Sequence, residues 1–403
     1  MRHYALKGFL RAVPNEMLSE YFKRDGLLTE FDFDKIKPTN IEHIFDAIQQ
    51  LPDNTRATID TDFQDIFALS YNTGVKIILD ESRYHGADLL ENLESLKGNY
   101  AKSFWTFLNH KNVFDSVLLL SCRDNVAGTW RKRRGLPVST GIDFSSKKEQ
   151  FAMAIAQNFR NEGRGRECVV DYKNRGSLHY FFAYPEDYSQ SYIHYDNGVM
   201  KRDSHNPAFQ VIFIYDTEQG SLDIYHEGSK ASVEQLRIIF AKEILGLDNL
   251  MPPEKEAYNL GATKYSNFEF KVRPEWGIQK NSITQISISR TVLREARSLT
   301  IKCGSYPNAI YEELDIFAPY QSYDTRPSRA YVQVDRIQVR TEFMQQPRKK
   351  GKNQRTFYIT KDGCDLKYDG RDLILRNMLI DSGLEEREMK ANCDASQSVP
   401  EPA

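Results

Sequence analysis

Between Ala208 and Leu247 the sequence leaves little freedom in how it folds. Phe209, Val211, Phe213 and Tyr215 fall on one face of an extended segment, and Ile212 and Ile214 on the other. A strand apolar on both faces is covered on both sides, so it belongs inside a sheet. Asp216-Thr217-Glu218-Gln219-Gly220 supplies turn chemistry, with Gly220 free to take a positive φ, and Ser221 to Tyr225 returns as the partner strand. Ser232 is the expected N-cap of a following helix, and Gln235 completes a capping box. Val233, Leu236, Ile239, Phe240 and Ile244 form its buried stripe. Gly246 stands where a left-handed C-cap belongs, and Leu247 where the closing hydrophobic contact is made. The unit is a hairpin with a helix packed back on it, and it carries no catalytic signature.

At 403 residues the chain exceeds one ordinary domain. Its size lets it bury roughly three-quarters of its unfolded surface without disulfides or metal. Lys and Arg number 54 against 56 Asp and Glu, a net charge of −2, so no global field draws in nucleic acid or anionic lipid. The 5 cysteines are odd in number and none forms a Cys-x-x-Cys pair, which disfavours zinc ribbons, redox pairs and a disulfide framework. The N-terminus lacks the apolar core of a signal peptide, and no run approaches the ~18 apolar residues of a membrane span. A soluble protein of a reducing compartment, the cytoplasm, is expected.

The expected fold class is α+β. A helical N-terminal domain covers 1–125, with helices expected from Pro14, from a Thr39/Glu42 capping box, and around Phe63, Leu89, Phe104 and Val113. A basic linker is expected over 126–144, because Trp130-Arg131-Lys132-Arg133-Arg134 is followed by Gly135 and Pro137. A mainly antiparallel region of hairpin-and-helix units follows. The first unit spans 145–247, with hairpins turning at Asn174-Arg175-Gly176 and Asp196-Asn197-Gly198. An irregular connection spans 248–281. The second unit spans 282–385, with strands at Ile283–Ser289, Ser298–Cys303, Tyr331–Phe343 and Arg355–Thr360. It also holds a helix at Asn308–Phe317 and a last one capped by Asp369 and ended by Gly383-Leu384. A disordered tail is expected over 386–403.

Two basic runs are the least ordinary feature. Trp130 with Arg131, Lys132, Arg133 and Arg134 forms one, and Arg348, Lys349, Lys350, Lys352 and Arg355 crowd a hairpin loop. Such loops reach phosphates, and an exposed indole stacks on a base. The plain reading is a solvated linker and a solvated turn. His179, His194, His205 and His226 lie in the strand block, where Asp196, Asp203 or Asp216 would complete a metal set if the strands converge, though no His-x-His spacing occurs. Glu269-Phe270-Lys271 places an acid and a lysine on one face of a strand, where Asp223 would complete a Mg²⁺ site for phosphodiester cleavage. Asp187, Asp196 and Asp203 are acid–base candidates that also suit turns. The aromatic run Tyr180-Phe181-Phe182-Ala183-Tyr184 reads as core. Phosphate-loop, dinucleotide, nucleophile-elbow and zincin motifs are absent, and no cofactor is indicated.

Three functions fit these observations. The first is a non-enzymatic accessory or adaptor protein whose helical domain docks a protein partner and whose basic loops touch nucleic acid. The second is a metal-dependent hydrolase or nuclease using carboxylates and histidines of the strand block. The third is a protein-binding module alone.

Overall fold

The computed structural model describes residues 3–37, 40–126, 128–138, 141–196, 198–253, 256–292, 295–302, 309–317, 320–321, 324–327, 329, 332–344, 353–368 and 370–386. The chain divides into two compact units, Met1–Asn125 and Val126–Ala403. The fold class is α+β: helices make up the first unit, and the second is built on a large antiparallel sheet with helices.

In the first unit the helices are α1 (Leu6–Ala12), α2 (Asn15–Arg24), α3 (Glu42–Gln49), α4 (Asp53–Leu69), α5 (Asn72–Tyr84), α6 (Leu90–Ser95), α7 (Asn99–Asn109) and α8 (Lys111–Asn125). Pro14, with φ −63°, caps the start of α2 as its fixed ring torsion favours. Thr39 lies outside the described residues, and α3 starts at Glu42 with no side chain capping it. The core is aromatic: Phe9 stacks on Phe63 at 4.6 Å between ring centroids, and Phe104 meets Phe63 edge-on at 5.9 Å. Tyr21 Oη donates to Asp62 Oδ2 at 2.7 Å on the same side. The apolar pattern does not announce α5, because Val75 and Ile78 share its buried face with Glu81 and Ser82.

The second unit opens with β1 (Trp130–Arg133), α9 (Lys148–Arg160), β2 (Cys168–Arg175), β3 (Leu178–Pro185), β4 (Gln190–Asp196) and β5 (Val199–His205). Then come β6 (Val211–Asp216), β7 (Ser221–Tyr225) and α10 (Lys230–Glu243). After an irregular stretch follow β8 (Ile278–Val292), β9 (Glu295–Lys302), α11 (Ala309–Phe317), β10 (Tyr320–Gln321) and β11 (Asp324–Pro327). The last elements are β12 (Val332–Phe343), β13 (Gln354–Thr360), β14 (Gly363–Cys364) and α12 (Gly370–Asp381). The described residues form one sheet of 10 strands, in the order β2-β3-β6-β7-β1-β14-β13-β12-β8-β9, with β4-β5 and β10-β11 as separate pairs.

On one face, Phe181, Phe213, Tyr215, Leu222 and Ile224 pack with Phe151 and Phe159 of α9 and Phe240 of α10. Burying an aromatic or branched side chain stabilises by roughly 1.5–3 kcal/mol, so this layer anchors the first half of the sheet. In the second half, Ile286, Val334, Ile337 and Phe357 pack with Leu375, Met378 and Leu379 of α12.

Two expectations change. The basic segment placed in a linker over 126–144 contains β1, which pairs antiparallel with β7 on one side and β14 on the other. The segments 145–247 and 282–385 therefore contribute to one continuous sheet rather than two joined units. A linker reading follows from the charge run and the Gly135 and Pro137 after it, but a buried strand tolerates basic side chains when each finds an acid or a carbonyl. Second, α10 starts at Lys230, a turn's fraction earlier than expected. Ser229 is the N-cap and accepts from the Ser232 amide at 3.1 Å, which leaves the Ser232 hydroxyl to meet His226 Nε2 at 3.1 Å. At the other end the helix is capped at Ile244, and Gly246 beyond it has the expected left-handed conformation, φ 71°, with the Leu247 amide reaching back to Ala241 O at 2.9 Å.

Candidate functional site

Alternate residues of β1 point to opposite faces of the sheet. Trp130 and Lys132 stand opposite Tyr225 and Asp223 of β7, whereas Arg131 and Arg133 stand opposite Ile224 and Leu222. Trp130 is 1% exposed, its ring 5.1 Å from Tyr368 and 5.7 Å from Tyr225. The indole expected to stack on a base is thus a core side chain with no free ring face. Arg131 Nη1 donates to both oxygens of Asp362, at 3.1 and 3.2 Å, and Lys230 adds a second cation there at 3.3 Å. Burial works against the charge on Asp362, but Arg131 and Lys230 outweigh it and hold that carboxyl below its ordinary range. Buried Arg133 donates to Met251 O. Arg355 clamps Asp372 at the start of α12, with Nε–Oδ1 and Nη2–Oδ2 both 3.0 Å. Arg348, Lys349, Lys350 and Lys352 lie outside the described residues. The two basic runs are therefore not brought together as one described surface, and their described members other than Arg134 serve internal contacts.

Lys132 and Arg134 instead open onto a cleft of about 400 Å³ between the sheet and α12. Its floor comes from the ends of β6 and β7, its wall from α12, and its rim from Glu385 and Glu386. Lys132, 9% exposed, sends its ammonium to Asp223 Oδ2 at 3.3 Å and to Glu385 Oε1. Tyr368 donates its hydroxyl to the same Asp223 Oδ2. Arg376 lies over the Tyr368 ring at 3.8 Å and donates to Lys367 O at 3.1 Å and Leu366 O at 2.6 Å. Asp223 is 3% exposed, and its Oδ1 finds no hydrogen-bond partner.

This environment fixes protonation states. Burial alone would lower the Lys132 pKa, but Asp223 and Glu385 outweigh it and raise it above the ordinary 10.5. Burial first, and then the Asp223 carboxylate, push the Tyr368 hydroxyl far above its ordinary range against the pull of Arg376. The buried Tyr258 hydroxyl, 3.4 Å from Cys364 Sγ, is pushed up in the same way, and burial raises the Cys364 thiol.

No family model matches the sequence, and no match appears among curated proteins. The site is therefore read from its own geometry.

The other candidates do not converge. His179, on β3, takes a 2.7 Å contact with Tyr172 Oη, and His226 one with Ser232. His194 and His205 belong to the separate β4–β5 hairpin, His194 lying 3.4 Å from Asp203. Asp187 is held by Arg164 at 3.2 Å. Among the described residues no three His, Cys, Asp or Glu are grouped to hold a metal. Glu269 and Lys271 sit on irregular, exposed chain, so the strand alternation expected to align them is missing, while Asp223 is engaged with Lys132. A larger groove of about 820 Å³ runs beside α9 and β2, but ionisable residues lining it, such as Glu149, Arg160 and Arg166, are exposed. The Lys132 cleft is smaller and holds the buried polar groups that give a site its specificity. The signal that could have located it is a lone Lys in Trp130–Arg133 and a lone Asp in Ser221–Tyr225, each in the middle of a short strand.

Proposed function

We propose that this chain is a non-enzymatic accessory or adaptor protein of the cytoplasm, and that the Lys132–Asp223 cleft is its recognition site. The observation that carries this reading is the fixed charge pattern of the cleft. Proton-transfer catalysis wants groups whose pKa lies near the working pH. Lys132 and Tyr368 are both moved away from neutrality and keep their protons. Such groups orient a ligand by charge and hydrogen bonds instead. The separately cored helical unit offers a second body for a protein partner. The free thiols of Cys168 and Cys364 suit a reducing compartment.

A fragment screen by ligand-observed NMR tests the reading, with Leu373→Trp as a control. Leu373 is 43% exposed on the cleft wall, so an indole there fills the cleft without disturbing the core. Polar fragments should bind the wild type, fail to bind the variant, and be released unchanged. Conversion of a bound fragment to product would contradict the reading. Nucleic-acid contact, as part of the same proposal, rests on Arg348, Lys349, Lys350 and Lys352. Reversing these four to Glu should weaken oligonucleotide binding and flatten its salt dependence, and identical salt titrations would remove that part.

A further inference from the structure

We infer that the cleft takes a cation carried on an alkyl stem, a guanidinium or ammonium group, and this rests on the recognition reading above. Five carboxylates and three cations line the cleft, a surplus of two negative charges. The innermost cations are already satisfied. Lys132 lies between Asp223 and Glu385, and Arg376 donates to two backbone carbonyls. One carboxylate oxygen is not: Asp223 Oδ1 is buried, accepts nothing and belongs to a residue lining the cavity. A buried acceptor without a donor is costly, and a charged N–H donor satisfies it best. Leu178, Ile214, Leu373 and Ile380 supply apolar wall around that point, enough to cover a chain of methylenes. One lysine between two carboxylates leaves a net negative charge, which would repel an anion and which a neutral group would not offset. The chemistry fits an arginine or lysine side chain of a partner peptide or a free alkylamine, and the adaptor reading favours the peptide.

Calorimetric titration of the full chain compares butylguanidinium, butylammonium, N-acetyl-arginine amide, the neutral isostere butylurea, and inorganic phosphate. The cationic probes should bind, and butylurea should bind about ten- to hundredfold more weakly, the cost of losing one charge-assisted hydrogen bond. Asp223→Asn should weaken the cations by a similar factor, and Leu373→Trp should abolish binding whether or not Asp223→Asn folds. A tighter fit of the acetyl-arginine amide than of butylguanidinium supports the peptide source. The reverse order overturns that source and leaves a small alkyl cation as the ligand. If phosphate or butylurea binds in a Leu373-dependent way while the cations do not, the cationic inference is overturned and the recognition site stands. If no probe and no screened fragment separates wild type from Leu373→Trp, both are overturned.

Discussion

A lysine ammonium taken out of water is stable only where opposite charge replaces its hydration. Lys132 has that replacement from Asp223 and Glu385, and removing it strands both carboxylates in a buried wall. Lys132→Met should therefore lose about 3–5 kcal/mol in urea unfolding. Adding Asp223→Asn and Glu385→Gln should recover part of the loss, because the uncompensated charges go with the lysine that held them. A triple variant less stable than Lys132→Met would contradict this coupling. Two histidines give the molecule a pH dependence. Burial lowers the pKa of both His179 and His226 from the ordinary 6.5, with Arg164 lowering His226 further and Asp216 opposing the shift at His179. Just below 6.5 the unfolded chain binds more protons than the folded one, so stability rises with pH there. Their contribution is complete above that value and is lost as pH falls through the depressed native values. The melting temperature should fall between pH 7 and about pH 5, and less steeply in a His179→Gln, His226→Gln variant. Equal slopes would show that other groups govern the acid limb.

Among the elements, β1 decides the architecture. Much of the rest was legible. The hairpin of Val211–Asp216 with Ser221–Tyr225, its helix, the Asp196–Val199 turn and the long strand ending at Phe343 all follow from alternation, turn residues and caps. β1 was not legible because it is four residues long and three of them are basic, so its only apolar residue is Trp130. Its burial depends on Asp362, Asp223 and Glu385, all 90 or more positions away in sequence, and local pattern holds no trace of them. The candidate site was hidden for the same reason: Lys132 read as surface charge, and Asp223 entered only as a partner for Glu269. Trp130→Ala should cost roughly 3–5 kcal/mol by leaving a cavity against Tyr225 and Tyr368. Gly363 lets β14 approach closely, since a Cβ there would lie 2.3 Å from Trp130 O. Gly363→Ala should raise amide hydrogen exchange in Trp130–Arg133 and in Gly363–Cys364 together. Unchanged protection in both would mean that β1 is not held from that side.

In the second unit, ten strands of the described residues join in one continuous sheet. Charge alone would direct native trypsin first to Arg131–Arg133. The structure predicts resistance there, because that backbone pairs with β7 throughout and with β14 at Arg131. First cleavage at those residues would refute the sheet order. The cleft depends on the whole sheet, since its groups come from β1, β7, α12 and the Glu385 rim, and the sheet must be complete for them to meet. Under the proposed function they meet as a fixed charge pattern suited to recognition rather than proton transfer. Its most direct measurement is a pH titration of the Lys132 side chain by NMR in isotopically labelled protein, assigned through Lys132→Met. The Lys132 ammonium should stay protonated past its ordinary 10.5 for as long as the fold persists. A Lys132 amine that loses its proton near neutral pH, as a catalytic lysine does, would contradict it.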